Sequence, residues 1–260
     1  MKLTFLGTGT SQGVPVIACT CEVCHSQDPH DKHLRTSALI ETNSGKNILI
    51  DIGPDFREQM LRAHVTHLDS ILITHAHRDH VGGLDDIRPF NWAQRQKMEI
   101  YCNHEARVAI ERDYHYIFAP HEFPGLPEAN MHELTGDEAV LLAAGEEVMP
   151  IKAMHKDLPI LGYRVGPLGY ITDANYISDK ELEKLKGEDT LVINALRKYK
   201  HFSHYCLPEA LEVIAKIGPR VAYLTHVSHE MGLYAATEKE LPEHVHLAYD
   251  GLQVTVGGTE

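Results

Sequence analysis

Residues 70–80 read SILITHAHRDH, and the last six of them decide the fold. Ser70–Thr74 is a short apolar run of the kind that forms a buried strand. The loop leaving it carries His75, His77, Asp79 and His80, four side chains of metal-ligand type within six positions. A strand end is a rigid platform, and the loop that leaves it can aim side chains at one point. His75 and His77 alternate along an extended stretch, so both imidazoles can face the same way. Asp79 and His80 follow at a turn into Val81-Gly82-Gly83, where glycine permits tight backbone. Imidazole nitrogens with a carboxylate oxygen suit zinc, manganese or iron, not calcium. Four such groups exceed what one open catalytic ion needs from a single loop, which points to two ions.

Short β-rich runs alternate with helical stretches on either side of this motif. Strands are expected at Leu3–Leu6, Ser37–Glu41, Asn47–Ile50, Ser70–Thr74 and Glu99–Cys102. In the second half they are expected at Val148–Ala153, Leu161–Val165, Gly169–Thr172, Leu191–Asn194 and Val221–Thr225, with two short ones after Val245. Helices are expected at Pro54–Ala63, His104–Tyr114, Asp179–Lys186 and Pro208–Ile217. The last opens on a first-turn proline and stops at Gly218-Pro219. No low-complexity linker divides the chain, and the proline-rich, polar segment near 118–133 is the best seam between two comparable halves. One domain over residues 1–260 is expected, with two sheets face to face and helices outside.

Composition narrows the function. The chain has 260 residues, 43% of them apolar, with 37 acids against 24 basic residues and a formal charge of −13. A nucleic-acid polymer is therefore not an expected partner, since its binders carry a basic face. A small anionic substrate stays open, because bound divalent ions reverse the local potential. The N-terminal apolar run is too short for a signal-peptide core and no stretch is long enough to span a membrane, so a cytoplasmic location and no membrane partner are expected. Five cysteines, three of them clustered, read as a metal site in a reducing compartment and not as a disulfide framework. The cluster is CTCEVC, with Cys19, Cys21 and Cys24. Its fourth ligand has candidates in His25, His30, His33, Cys102, Cys206 and His229. His25, adjacent to Cys24, would strain a tetrahedral site.

The strand plus HAHRDH resembles the HxHxDH signature of the metallo-β-lactamase-fold hydrolases, a four-layer αββα sandwich in the α/β class. The family's other landmarks follow in order: Asp51 in ILIDIGPD, His155 in IKAMHKD, Asp173 in GYITDANY and His226 in AYLTHVSH. The resemblance implies one ion on His75, His77 and His155, a second on Asp79, His80 and His226, and Asp173 bridging them. Manganese or zinc is implied at this pair, with iron an alternative. Within the fold, a cysteine loop after the first strand is similar to that of PhnP-type cyclic-phosphate phosphodiesterases and of PqqB-like proteins of cofactor biosynthesis. The PhnP resemblance implies His229 as the fourth ligand of a structural zinc with Cys19, Cys21 and Cys24. It also implies that a metal-bridging hydroxide opens a small, cyclic phosphodiester such as phosphoribosyl cyclic phosphate. Asp79 would then be ligand and orienter, and His204, in KYKHFSHYC, would protonate the leaving oxygen. A PqqB-like oxygenase or accessory role is the alternative, less favoured because that group departs from the full set of ligands.

Other residues carry weaker signals. His201 competes with His204 for the same role. The stretch GTGTSQG, with Gly7, Gly9 and Gly13, has the wrong spacing for a dinucleotide loop and reads as a tight turn towards the cysteines. Arg88 is placed either to clamp a phosphate or to pair with Asp85 or Asp86. Cys102 and Cys206 read as buried thiols. A homodimer is compatible with all of this.

Overall fold

Residues 47–50, 70–73 and 190–194 are apolar on both faces of an extended chain, which marks strands covered on both sides. The computed structural model describes residues 1–118 and 125–257. The first-half strands are β1 (Lys2–Gly7), β2 (Ser37–Glu41), β3 (Asn47–Ile50), β4 (Ser70–Leu72), β5 (Met98–Cys102) and β6 (Ala129–Glu133). The second half supplies β7 (Val140–Leu141), β8 (Glu147–His155), β9 (Leu158–Val165), β10 (Leu168–Tyr170), β11 (Thr190–Asn194), β12 (Val221–Thr225), β13 (Val245–Leu247) and β14 (Gln253–Thr255). They form two sheets, ordered β14-β1-β2-β3-β4-β5-β6 and β13-β12-β11-β10-β9-β8-β7. The C-terminal strand thus returns to the N-terminal sheet.

Period-2 alternation builds the layers. Ile48, Ile50 and Leu72 of one sheet meet Tyr163, Tyr170 and Val192 of the other in a central core. The alternate residues Leu49, Ile71 and Ile73 face outward beneath Phe56, Phe90 and Ile110 of the covering helices. Leu191, Ile193 and Leu224 do the same beneath Ala210, Val213 and Ile214. The result is the expected αββα sandwich. Burial of each large apolar side chain contributes about 1.5–3 kcal/mol, so these layers supply the main driving force.

The helix Leu207–Ile217 shows how local sequence fixes an element. Leu207, Ala210, Val213, Ile214 and Ile217 form one buried stripe at helical spacing. The Glu209 carboxylate accepts the Cys206 backbone N–H at 3.0 Å, and Gly218 closes the helix at φ 68°. Cys206, expected only as a buried thiol, is therefore also the helix's N-cap residue.

Strand direction places the site. β3, β4, β5 and β6 run parallel, as do β10, β11, β12 and β13. Asp51, His75, Asp173 and His226 follow closely on the C-terminal ends of β3, β4, β10 and β12, and His155 ends β8. Open α/β sheets bind ligands outside such carboxyl ends. Within the expected seam near 118–133, residues 119–124 lie outside the described residues, and β6 still belongs to the first sheet.

Two strands were not expected. β6, ANMHE, is largely accessible and has only Ala129 buried, and β7 is two residues long. Both lie at sheet edges, where a buried face no longer writes an apolar period into the sequence.

Gly53 is where the loop after β3 touches the metal loop. A Cβ there would stand 2.2 Å from the Asp79 carbonyl oxygen, and neither partner is a movable side-chain tip. Gly53→Ala is expected to cost about 2 kcal/mol and to lower the thermal midpoint by about 4–8 °C. A calorimetric melt checks this, and an unchanged midpoint would mean that the contact is not fixed.

Candidate metal centres

The residues of HAHRDH diverge to serve two clusters. His75 Nε2 lies 3.0 Å from His77 Nδ1, and His155 brings a third nitrogen to the same point. Asp79, His80, Asp173 and His226 form the neighbouring cluster, with donor atoms within 4.8 Å of one another. Asp79 and His80 sit on the short helix Arg78–Val81 and join the second cluster, with the His80 ring centroid 4.1 Å from that of His75. His155, Asp173 and His204 form a third overlapping group. Every expected ligand of the pair is thus brought to one place.

Hydrogen bonds fix which ring nitrogen faces inward. The His155 Nδ1–H donates to the Ser203 carbonyl at 2.8 Å, leaving Nε2 for a cation. Asp51, fully buried, takes the His80 Nδ1–H at 2.6 Å, the Thr74 backbone N–H at 2.8 Å and the Thr74 hydroxyl at 2.9 Å. The Thr74 oxygen also stands 3.0 Å from His75 Nδ1. One carboxylate and one hydroxyl thus orient a ring in each cluster. Thr36 Oγ1 lies 3.1 Å from His226 Nδ1.

His80 Nε2 is the telling atom. It is buried with no hydrogen-bond partner, yet it stands 3.2 Å from an Asp79 oxygen and 3.3 Å from an Asp173 oxygen. A neutral nitrogen lone pair facing two carboxylates is unfavourable unless positive charge lies between them. Burial opposes protonation of His80, but Asp173, Asp79 and Asp51 together hold its pKa well above the histidine range. Burial also works against ionised Asp173, which His226 and His80 nevertheless hold well below the carboxylate range. His75 is driven the other way, by burial and by His80. A divalent ion supplies the positive charge these donors call for, and the donor set fits one in each cluster.

Backbone strain marks the same atoms. Asp51, Asp173 and His226 have φ of 60°, 59° and 55°, a left-handed conformation unusual for residues with a Cβ. Each turns the chain sharply at a strand end. Asn194 holds one of these turns, its Oδ1 accepting from Ala174 N–H at 2.8 Å and its Nδ2 donating to Ala174 O at 3.0 Å.

The cysteine loop meets His229 as the resemblance implied. Cys19, Cys21 and Cys24 place their Sγ atoms 3.3, 3.2 and 3.6 Å from His229 Nδ1. Ordinary zinc–sulfur and zinc–nitrogen bonds in a tetrahedron give edges of about 3.6 Å. Backbone N–H groups of Cys24 and Val16 donate to Cys21 Sγ and Cys24 Sγ. The Cys24 N–H and the His229 ring bring the Cys21 thiol down to about 6, while burial pushes Cys24 up to about 11. His25 is exposed and turns its Nδ1 to the Cys21 carbonyl, away from the sulfurs.

His204 lies against the first two clusters, its Nδ1 buried and 3.6 Å from Asp173 Oδ1. Burial and then His226 lower its pKa to about 3, against the opposing pull of Asp173. His201 stands next to it, with ring centroids 5.3 Å apart. Arg88 reaches the Gly125 carbonyl at 3.3 Å and covers the Trp92 ring, so it is engaged on its own helix surface.

The sequence reading passed over Thr74, Thr36, Ser203 and Asn194. A signal for the first was present: Ile73-Thr74-His75, Ile171-Thr172-Asp173 and Leu224-Thr225-His226 repeat one pattern at three strand ends.

Residues 46–227 match the family profile described as the Beta-lactamase superfamily domain. The crystal structure of a new diphosphatase from the PhnP family superposes with a TM-score of 0.90 at 38% identity, covering 97% of this chain and 96% of that one. Zinc-bound PqqB from Methylobacterium extorquens gives 0.78 over 98% of this chain and 100% of its own. At 16% identity that likeness bears on the fold alone. An octanoyltransferase of Porphyromonas gingivalis is 42% identical over 98% of this chain, which spans only 52% of that relative's length.

The histidine beside the sulfurs yields a test. His229→Ala is expected to weaken zinc binding at the three cysteine sulfurs. By freeing the segment next to His226, it should also weaken metal binding at the Asp79, His80 and His226 cluster about 10–100-fold. His25→Ala keeps both. Metal content by mass spectrometry checks the pair, and the opposite pattern would place the fourth ligand inside the loop.

Proposed function

We propose that this chain, which belongs to the β-lactamase superfamily, is a dinuclear metal-dependent phosphodiesterase acting on a small phosphodiester, with a cyclic phosphodiester as the favoured substrate. The observation that carries the reading is the pair of adjoining donor clusters, with buried His80 Nε2 aimed at Asp79 and Asp173 and lacking any other partner. His75, His77 and His155 would hold one ion; Asp79, His80 and His226 the other; Asp173 would reach both. Two such ions, when bound, would supply Lewis acidity at the phosphoryl group and an activated water. A third, structural zinc on Cys19, Cys21, Cys24 and His229 would complete the set.

The chain's own residues do the remaining work. Asp51 and Thr74 keep the His80 and His75 rings in the orientation that presents Nε2. Asp79, as well as holding an ion, orients the attacking water. His204 stands beside Asp173 and against both clusters, and once protonated it would pass its proton to the departing oxygen.

Cleavage of a diphosphate link is a second reading, favoured by the PhnP-family diphosphatase that covers almost all of this chain. Both reactions displace oxygen from phosphorus and call on the same residues. Acyl transfer, the activity in the name of the Porphyromonas gingivalis relative, fits less well. This chain spans only 52% of that relative's length, so the name covers a protein with about as much again outside the shared part.

The test combines metal analysis with hydrolysis of cyclic phosphodiesters, bis(p-nitrophenyl) phosphate and a diphosphate diester. Three ions per chain are expected, one of them resisting mild chelation, with turnover highest on a cyclic phosphodiester. A single ion or none would sink the dinuclear reading, and turnover of the diphosphate alone would move the function to the second reading. His204→Ala should keep its metals and lose about 10²–10⁴-fold on alkoxide leaving groups, with a much smaller loss on the aryl diester, whose leaving group departs unprotonated. Equal losses on both would make His204 a positioning residue.

A further inference from the structure

Beside the metal donors lies an open cleft of about 400 Å³ lined by His77, His155, Lys156, Asp157, Leu158, Phe202 and Ser203. Its outer wall departs from the residue choices that structure alone would make. β8 and β9 are joined by the two-residue turn Lys156-Asp157, and Lys156 adopts φ 56°. Such turns ordinarily take Asn, Asp or Gly, because a Cβ is strained there. Lys156 holds the conformation through its backbone N–H, which donates to Asn175 Oδ1 at 2.7 Å. Its ammonium is left at the cleft. It is 3.6 Å from the exposed Asp157 carboxylate, an ion pair that contributes little, and 5.9 Å from the Phe202 ring centroid.

Phe202 departs in the other direction. It is 70% exposed and joins none of the core clusters. Its backbone is nevertheless held. The Phe202 carbonyl takes the Asn175 Nδ2–H at 3.4 Å, and the next carbonyl, of Ser203, takes the His155 Nδ1–H at 2.8 Å. The His201 ring packs beside Phe202 with centroids 4.4 Å apart. A solvent-facing Phe202 ring next to a cation, flanked by a half-buried His201 and two residues from His204, exposes apolar surface without joining the core.

We propose that this wall is a nucleobase subsite: Phe202, flanked by His201, stacks a base of the substrate, and Lys156 takes an anionic oxygen that the metal donors do not reach. The substrate class is then a nucleotide phosphoester, with the base lying over the loop that carries His204. The inference rests on the phosphoester reading of the site given above. The cleft volume lies within the range of small-ligand pockets, and stacking on an aromatic ring tolerates any base because each has a π face.

Two compounds with the same cyclic phosphate isolate the base: adenosine 2′,3′-cyclic monophosphate and methyl riboside 2′,3′-cyclic monophosphate. The wild-type protein should favour the adenosine compound in kcat/KM, chiefly through KM. Phe202→Ala should reduce that preference about tenfold, and Phe202→Tyr, which keeps the ring, should restore it. Lys156→Ala should weaken the dependence of KM on salt for both compounds. An undiminished preference in Phe202→Ala overturns the subsite. Should neither compound be hydrolysed, the cyclic phosphodiester reading fails, and calorimetric binding of adenosine 5′-monophosphate against ribose 5-phosphate still decides the subsite. At least tenfold tighter binding of the nucleotide, lost in Phe202→Ala, supports it, and equal binding of the two overturns it.

Discussion

The buried carboxylate of Asp51 carries more of this structure than any other group. It stands just beyond the end of β3, fully enclosed, and accepts from the Thr74 backbone, the Thr74 hydroxyl and the His80 ring. Burial holds its pKa above the usual carboxylate range, against His80 and Thr74, which favour the charged form. An ionised group in this position is tolerable only when each oxygen is occupied. Satisfying those oxygens is what brings the loop after β4 back over the end of β3 and sets the tautomer of a metal-facing histidine. Folding and site assembly therefore share one interaction. It would be expensive to break.

Local strain follows from the same geometry. Parallel strands deliver their carboxyl ends to one edge, but a strand continuing straight would carry its next side chain past the site. The left-handed residues Asp51, Asp173 and His226 turn the chain at the edge, at a cost of about 1–2 kcal/mol each. Glycine would adopt those angles freely, but glycine has no ligand atom. The chain accepts strain where a donor must sit at the corner and uses glycine, as at Gly53, where only the backbone must pass.

What the sequence disclosed divides along these lines. The strands β2, β3 and β12 have the expected bounds because most of their residues are buried and apolar, so the run itself reports the strand. The edge strands β6 and β7 went unread because no apolar face writes their period. HAHRDH was legible without any fold, since its ligands are neighbours in the chain. His155, Asp173 and His226 were legible only through their order, and nothing local separates them from the chain's other histidines and acids. Thr74, Thr36 and Asn194 orient donors through hydrogen bonds across 20 to 190 residues of sequence, a relation that composition and spacing do not record.

The Cys3His cluster explains how a strand end so strained can stay in register. β12 ends at Thr225, His226 turns sharply, and the chain needs a hold on the far side of the turn. Ser228 gives one, its hydroxyl donating to the Leu196 carbonyl at 2.9 Å. His229 gives the other, facing three sulfurs from a loop roughly two hundred residues away in sequence. The segment after β1 that leads towards that loop is held to the residues after β12 through Gly9, which bridges both Arg35 and Val227. Thr8 donates to Asp250, and Asp250 accepts from Leu34, so both ends of the chain close on this corner. The sulfur cluster therefore stiffens the side of the site that a single bend at His226 would leave free. Its donors are three sulfurs and one imidazole, a set distinct from the histidines and carboxylates of the neighbouring clusters.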